Sequence, residues 1–356
     1  MTHTLEGANV VILGGTGSLG QRLAARILDG SQGKPAAVTI FSRDEAKQHY
    51  MRLAFQNRTT ATDDIIYADS TKRLQFVIGD VRNFADMKRS VDRADVIFHA
   101  AALKQVPTCE YFGGAAVDTN VYGAINLARA VSEGSPTGKS IVGISTDKAC
   151  KPVNLMGMTK AVQERILIQA NLHCDRARFV NVRYGNVMAS RGSAIPYFID
   201  LVRRKRPITI TDERMTRFLM TLNQSVDLIF AAFRHGLRGE TLLPLVPAAK
   251  VTDIARAVAG DTSYPLEVTG IRPGEKLHEI LVSEEEVSRT QMRDGNLVIA
   301  PVLPELRQGT ASSDPLPFNE EYSSRDDNLS YDAVVELLTI NELTVANAPN
   351  SEEIYR

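Results

Sequence analysis

The sequence predicts an α/β fold, a doubly wound parallel sheet followed by a smaller C-terminal lobe. Three observations carry this. Short β-branched runs alternate with helical patterns from Asn9 to Tyr184, and repeated β-α-β order builds a parallel sheet covered on both faces. A glycine-rich turn joins the first strand to the first helix. After about residue 186 the alternation gives way to short segments separated by helices and loops.

Each element has its own signal. Asn9 to Leu13 reads as the first strand, and Ser18 to Leu28 follows with Leu19, Leu23, Ile27 and Leu28 at helical spacing. Val38 to Phe41 reads as strand, Arg43 to Gln56 as helix and Leu74 to Ile78 as strand. Val96 to Ala101 precedes a long helical stretch from Ala115 to Glu133. Ser140 to Ser145, the helical Asn154 to Ala170 and Phe179 to Tyr184 complete a Rossmann-type series. Ile208 to Thr211 and Leu242 to Val246 are assigned to the smaller lobe, built on the first domain's edge. Beyond Glu284 the chain is acidic and Ser-rich and reads as an arm or tail. The expected division is a dinucleotide domain over 1–186, a substrate lobe over 187–285 and a polar extension over 286–356. The basic run Arg203-Arg204-Lys205-Arg206 follows a helical pattern and reads as a solvated helix end.

Composition narrows the function. A chain of 356 residues suits two domains, or one with an added lobe. Its 41 Lys and Arg balance 42 Asp and Glu, so no net charge draws it to nucleic acid or anionic membrane. The longest apolar runs, such as Val96 to Leu103, fall well short of the ~20 residues of a spanning helix. Met1 to Ala8 carries an acid and no apolar stretch, unlike a secretory signal. Three scattered cysteines (Cys109, Cys150, Cys174) argue for a reducing cytoplasm. Six scattered histidines show no metal-ligand spacing, so no metal site is expected.

Gly14, Gly17 and Gly20 stand at G-x-x-G-x-x-G spacing between strand and helix. Glycines let a backbone approach a pyrophosphate, and the helix N-terminus offers it free N–H groups. Thr16, Ser18 and Leu19 complete this phosphate loop. The second strand ends in Ser42-Arg43-Asp44 rather than directly in an acid. A guanidinium suits a 2′-phosphate, which favours NADP over NAD. Asp80, beside Val81 after the third strand, is placed to accept from the adenine amino group. Ser145-Thr146-Asp147-Lys148 closes the fifth strand, where open parallel sheets bind ligands. Lys160 lies one helical turn after Met156, on the same face.

These motifs resemble the extended short-chain dehydrogenase/reductase superfamily, and within it the bacterial UDP-N-acetylglucosamine 4,6-dehydratases. Supporting stretches are His99 to Pro107, Arg183-Tyr184-Gly185-Asn186-Val187, Met215-Thr216-Arg217-Phe218 and Ile271 to Lys276. The resemblance spans about residues 8 to 285 and has one departure. The superfamily's catalytic tyrosine would stand where this chain has Met156, and a thioether has no titratable proton. The subgroup that inverts C5 resembles this chain in having Met-Gly-Met before Ser/Thr-Lys.

The resemblance implies NADP as cofactor and a UDP-sugar as substrate. The expected reaction is oxidation at C4, loss of water across C5–C6 and hydride return to C6, with C5 inverted. Asp147 would protonate the C6 hydroxyl, and Lys148 would take the C5 proton as a neutral amine. Lys160 would hold the nicotinamide ribose, Thr146 the C4 oxygen, and Ala100 and Ala102 would flank the cofactor. Lys104 and Gln105 would lie near the sugar, and Asn186 on the phosphate side. Arg217 and Arg272 suit the diphosphate, Glu275 the uridine ribose, and Lys250 the nucleotide. Homo-oligomers, often hexamers, are the family habit. A 5-retaining dehydratase, a UDP-sugar 4-epimerase, a 5,6-dehydratase and a non-catalytic NADP-binding regulator stay open.

Overall fold

The computed structural model describes residues 3–56, 73–134, 138–188, 193–307 and 315–348. Strands β1 (Asn9–Leu13), β2 (Ala37–Ser42), β3 (Leu74–Ile78), β4 (Val96–His99), β5 (Lys139–Ile144) and β6 (Ala177–Val182) form a parallel sheet in the order β3-β2-β1-β4-β5-β6. β4 and β5 are buried along their whole length, as strands covered on both faces must be. Alternate side chains serve two cores. Val10, Ile12 and Phe98 enter one with Leu23, Ile27 and Phe233, while Val11, Leu13 and Ile97 enter the other with Leu127 and Leu167.

The helices on the sheet are α1 (Ser18–Leu28), α2 (Glu45–Phe55), α3 (Phe84–Val91), α4 (Val106–Tyr111), α5 (Gly113–Ala116), α6 (Gly123–Ser132) and α7 (Leu155–His173). Asp44 is the N-cap of α2, its carboxylate accepting from Lys47 N, and Asn154 caps α7 through Gly157 N. β1, α1 and β3 coincide with the sequence reading. The helix expected over Ala115 to Glu133 instead contains a π-helical turn, Val117–Tyr122, between α5 and α6. The extra residue turns Thr119 and Asn120 inward, and both are buried. Helices α3 and α4 were not anticipated.

The larger correction concerns the C-terminal half. β7 (Ile208–Ile210) and β8 (Thr216–Phe218) lie outside the main sheet, but β9 (Thr241–Pro244) pairs in parallel with β6. The sheet thus continues past the boundary expected at residue 186. β10 (Ala248–Lys250) pairs with β8, β11 (Leu266–Val268) with β7, and β12 (Ile280–Val282) precedes a hairpin. That hairpin, β13 (Thr290–Arg293) and β14 (Asn296–Ile299), joins β9 antiparallel and makes the sheet nine-stranded. Residues expected in a polar tail therefore finish the first domain's sheet. Leu297 and Val298 are fully buried there, so burial outweighs the acidic composition around them.

The remaining helices are α8 (Ala194–Arg203), α9 (Leu222–His235), α10 (Val251–Ala259), α11 (Glu284–Val287) and α12 (Tyr331–Ile340). α9 covers the main sheet beside α1, with Arg26 bonded to Asp227. The lobe has its own core, in which Phe198, Ile208, Ile254 and Val258 meet Val334 and Leu338 of α12. A second part of the expected tail is thus lobe core. β15 (Tyr322–Ser323) pairs with β12. Arg203 and Arg204 of the basic run bond Ala348 O and Asp200, in keeping with a helix end. Among the described residues no helix is long and apolar enough to cross a membrane.

Candidate active site

A cleft of about 1180 Å³ runs across the carboxyl ends of β1, β2, β4, β5 and β6 and on to the lobe. Gly14, Thr16, Gly17, Ser18, Leu19 and Gly20 line its first part. Gly14 has φ +78°, and a Cβ there would stand 2.7 Å from the backbone of Ala101, so only glycine fits. No side chain caps α1 at Gly17, and its first turn carries no acid. Its leading N–H groups are therefore open to an anion in the cleft.

The adenosine end departs from expectation at two residues. Ser42 lines the cleft, but its Oγ accepts from Gln48 Nε2 at 3.3 Å. Gly79 and Val81 line the cleft, whereas Asp80 does not. The Asp80 carboxylate accepts from Arg82 Nε at 2.9 Å and lies 3.6 Å from Arg43. Although partial burial opposes it, these arginines hold the carboxyl below its ordinary range. Asp80 thus anchors Arg43, which lines the mouth of the cleft with Lys47.

Beyond β4, Ala100, Ala102, Lys104 and Gln105 line the cleft. Their loop is pinned by Asn120, which accepts from Leu103 N at 2.9 Å and donates to Leu103 O and Thr159 Oγ1 at 3.0 Å each. The sequence reading missed Asn120, because the π-helical turn that aims it leaves no mark in the apolar periodicity.

At the end of β5, Ser145, Thr146 and Lys148 line the cleft. Asp147 does not. The turn Asp147–Ala149 folds its side chain behind the wall, and it is 0% exposed. Its Oδ1 accepts from Thr146 Oγ1 at 2.8 Å and from Lys148 Nζ at 3.2 Å. Lys148 Nζ also lies 3.2 Å from Glu279 Oε1 and donates to Asn186 Oδ1 at 3.4 Å. Burial, reinforced by Glu279 and opposed by Lys148, raises the pKa of Asp147, which favours the protonated acid. Burial alone would discharge Lys148, but Asp147 and Glu279 outweigh it and raise its pKa. The neutral amine expected at Lys148 is therefore not its resting state.

Lys160 shows the depressed pKa instead. It is 5% exposed and donates to Ile144 O at 2.5 Å and Gln163 Oε1 at 2.7 Å. Burial brings it down to about 8, against the pull of Glu164. Met156 lines the cleft and packs with Cys109, Ala116 and Leu103, so it serves as packing. Gly157 beside it is required by contact, since a Cβ would fall 2.1 Å from Lys148 O. His99 is fully buried, and burial pushes it down to about 3, so it stays neutral.

On the lobe side Asn186, Arg217, Arg272 and Glu275 all line the cleft. Arg217 is held by Thr216 O and Leu277 O at 2.7 and 3.1 Å. Lys250 is exposed and outside the lining. The β8–β10 register sets it opposite Thr216, one position out of step with Arg217. Glu279, Lys276 and Tyr184 line the cleft unanticipated. Glu279 follows the Arg272-to-Lys276 stretch by three residues, which was the available signal.

A glycine loop leading into α1, a hydroxyl pair at the end of β5 and a lysine on the next helix define an extended short-chain dehydrogenase/reductase. The chain belongs to the polysaccharide biosynthesis protein family, which it matches over residues 10–301. It is 42% identical over 287 residues to a UDP-glucose 4-epimerase of Rickettsia bellii, covering 79% of this chain and 80% of that one. Pen from Bacillus thuringiensis shares the structure with a TM-score of 0.83 at 30% identity, over 96% of this chain and 100% of that one. DesIV, a dTDP-glucose 4,6-dehydratase from Streptomyces venezuelae solved with NAD and TYD bound, shares the fold with a TM-score of 0.62 at 19% identity, over 76% of this chain and 86% of that one.

Proposed function

We propose that the chain is an NADP-dependent UDP-N-acetylglucosamine 4,6-dehydratase that inverts C5. The observation carrying this reading is the ion pair of buried Asp147 with half-buried Lys148 at the end of β5, Lys148 lining the same cleft as Lys160, Arg217 and Arg272. An epimerase that acts at C4 alone has no use for an acid and a base at C5 and C6.

The residues present fit a dinucleotide. The uncapped start of α1 suits its pyrophosphate, and the hydroxyls of Ser145 and Thr119, buried and without a hydrogen-bond partner, line the same cleft. Arg43 and Lys47 at the mouth favour a 2′-phosphate. A dinucleotide held there would supply reversible hydride transfer.

The chain's own groups do the acid–base work. In this reading Asp147, which burial pushes toward its protonated form, is the acid for the departing C6 hydroxyl; its Oδ1 accepts from the hydroxyl of Thr146, which lines the cleft. Lys148 takes the C5 proton, the C6–O bond breaks and water leaves. A proton returns to C5 on the opposite face. Lys160, titrating near 8, holds the ribose and responds to charge at the C4 oxygen. Arg217 and Arg272 suit the diphosphate and Glu275 the uridine ribose. In this reading the enzyme works in the cytoplasm as a homo-oligomer.

The name of the Rickettsia relative favours a second reading, a UDP-hexose 4-epimerase. Proton NMR of purified protein with UDP-N-acetylglucosamine in deuterated water separates them. The expected product is a 4-keto-6-deoxy sugar with deuterium at C5 and inverted C5 couplings. Retained C5 couplings would replace the inverting assignment with the retaining one. A C4 epimer without deuterium would overturn the dehydratase reading.

A further inference from the structure

Glu279 comes from outside the nucleotide domain's strands and helices, yet it meets the end of β5. It is 3% exposed and lines the cleft. Its backbone is clamped on both sides, its N–H donating to Ser324 Oγ at 2.9 Å and its carbonyl accepting from Ser324 N at 2.8 Å. One carboxylate oxygen lies 3.2 Å from Lys148 Nζ and 3.9 Å from Arg217 Nε. The other, Oε2, is buried and has no hydrogen-bond partner. A buried acceptor left open costs free energy, so its presence in a cleft calls for a function.

The surroundings of Lys148 supply one. An ammonium has three N–H donors, and Lys148 Nζ has three acceptors around it: Asp147 Oδ1, Glu279 Oε1 and Asn186 Oδ1. To take a proton from carbon, this ammonium must first pass one to a neighbour. An amide oxygen is too weak a base, and Asp147 has to enter the reaction already protonated. Glu279 is the group that remains.

We propose that Glu279 is the positioning residue of the acid–base pair: it aims Lys148 across the cleft and receives the proton that Lys148 must shed. The proposal rests on the dehydratase reading. One N–H bond of Lys148 breaks as an O–H bond forms on Glu279. The free amine then bonds the C5 hydrogen, whose electron pair stays on the sugar. Over a turnover the chain accepts protons from the C4 hydroxyl and from C5, and gives them to the departing C6 hydroxyl and back to C5. Glu279 ends ionised as it began, and no other reactant is needed. The charged groups facing it are Lys148, Arg217 and Lys276, and the titratable carboxyl of Asp147 also interacts with it.

Glu279→Gln tests this, because the amide keeps the shape and an acceptor for Lys148 but cannot take its proton. With holoenzyme and UDP-N-acetylglucosamine, kcat should fall roughly 10²–10³-fold while KM stays within about threefold. The acidic limb of the pH–rate profile should move to higher pH, because Lys148 must then reach its neutral form without Glu279, and Glu279→Asp should recover part of the rate. A kcat within about threefold of wild type with an unchanged pH profile would overturn the proposal. A second measurement needs no turnover: amine labelling of Lys148 against pH, read by peptide mass spectrometry. Removing the carboxylate should move the half-labelling pH downward, and an unmoved midpoint also overturns the proposal. Should wild-type protein fail to turn over UDP-N-acetylglucosamine, the dehydratase reading falls, and the labelling alone decides whether Glu279 governs the Lys148 proton.

Discussion

Lys160 and Lys148 stand in one cleft, and their environments push them in opposite directions. Lys160 meets a carbonyl and an amide oxygen and is lowered by burial to about 8, whereas Lys148, also desolvated, meets the acid side chains of Glu279 and Asp147 and is raised. The first shift has a consequence for stability. Between pH 8 and the ordinary lysine value of 10.5 the folded chain has released this proton and the unfolded chain still holds it. The unfolded state binds more protons there, so stability gains as pH rises through this window. Against Lys160→Met, the wild-type chain should gain about 3 kcal/mol of unfolding free energy from pH 8 to 10.5. Urea denaturation across that range measures it, and a flat difference would show that Lys160 titrates as an ordinary lysine. Asp147, Lys148 and Lys160 were legible in the sequence as residues. Their protonation states were not, because these depend on burial and on Glu279, which another segment brings in.

The turn between β1 and α1 shows which glycines the fold needs and which the ligand needs. A Cβ on Gly14 would collide with Ala101, and one on Gly20 would lie 2.5 Å from the backbone of Gly15. A Cβ on Gly17 would meet only Gly14 O, at an ordinary 3.5 Å, while Gly17 lines the cleft. Gly14→Ala and Gly20→Ala should therefore lower the melting temperature by many degrees. Gly17→Ala should cost no more than about 1 kcal/mol as a cap change, yet weaken dinucleotide binding at least tenfold. Calorimetry paired with a dinucleotide titration tests the contrast, and equal melting losses in all three variants would refute it. This element was readable in advance because its glycine spacing, strand and helix are all local.

At the scale of the molecule, Arg183 ties three parts of the chain together. It follows β6, is 4% exposed, and pairs with Glu164 of α7 and Glu286 of α11 at 2.7 Å each, while donating to Leu281 O at 2.9 Å. Removing one member of a buried network leaves its partners charged and unpaired. Arg183→Leu should lower the unfolding free energy by about 3–5 kcal/mol, seen as a shifted urea midpoint. A loss under about 1 kcal/mol would mean that the network does not hold the C-terminal segment to the sheet.

The sequence by itself determined the doubly wound sheet through β6 and the glycine turn, and it named residues that line the cleft from both sides. These depend on alternation, spacing and turn chemistry, which act over a few neighbouring positions. Tertiary structure decided the rest. It returned β9, β13 and β14 to the first sheet, seated Asp147 behind the cleft wall, turned Asp80 toward two arginines and set Glu279 against Lys148. The sheet additions, the Asp80–Arg43 contact and the Glu279–Lys148 contact are pairings between segments tens to more than a hundred residues apart. Such pairings are selected by the burial and charge that become available once the sheet has formed, and no local pattern records them.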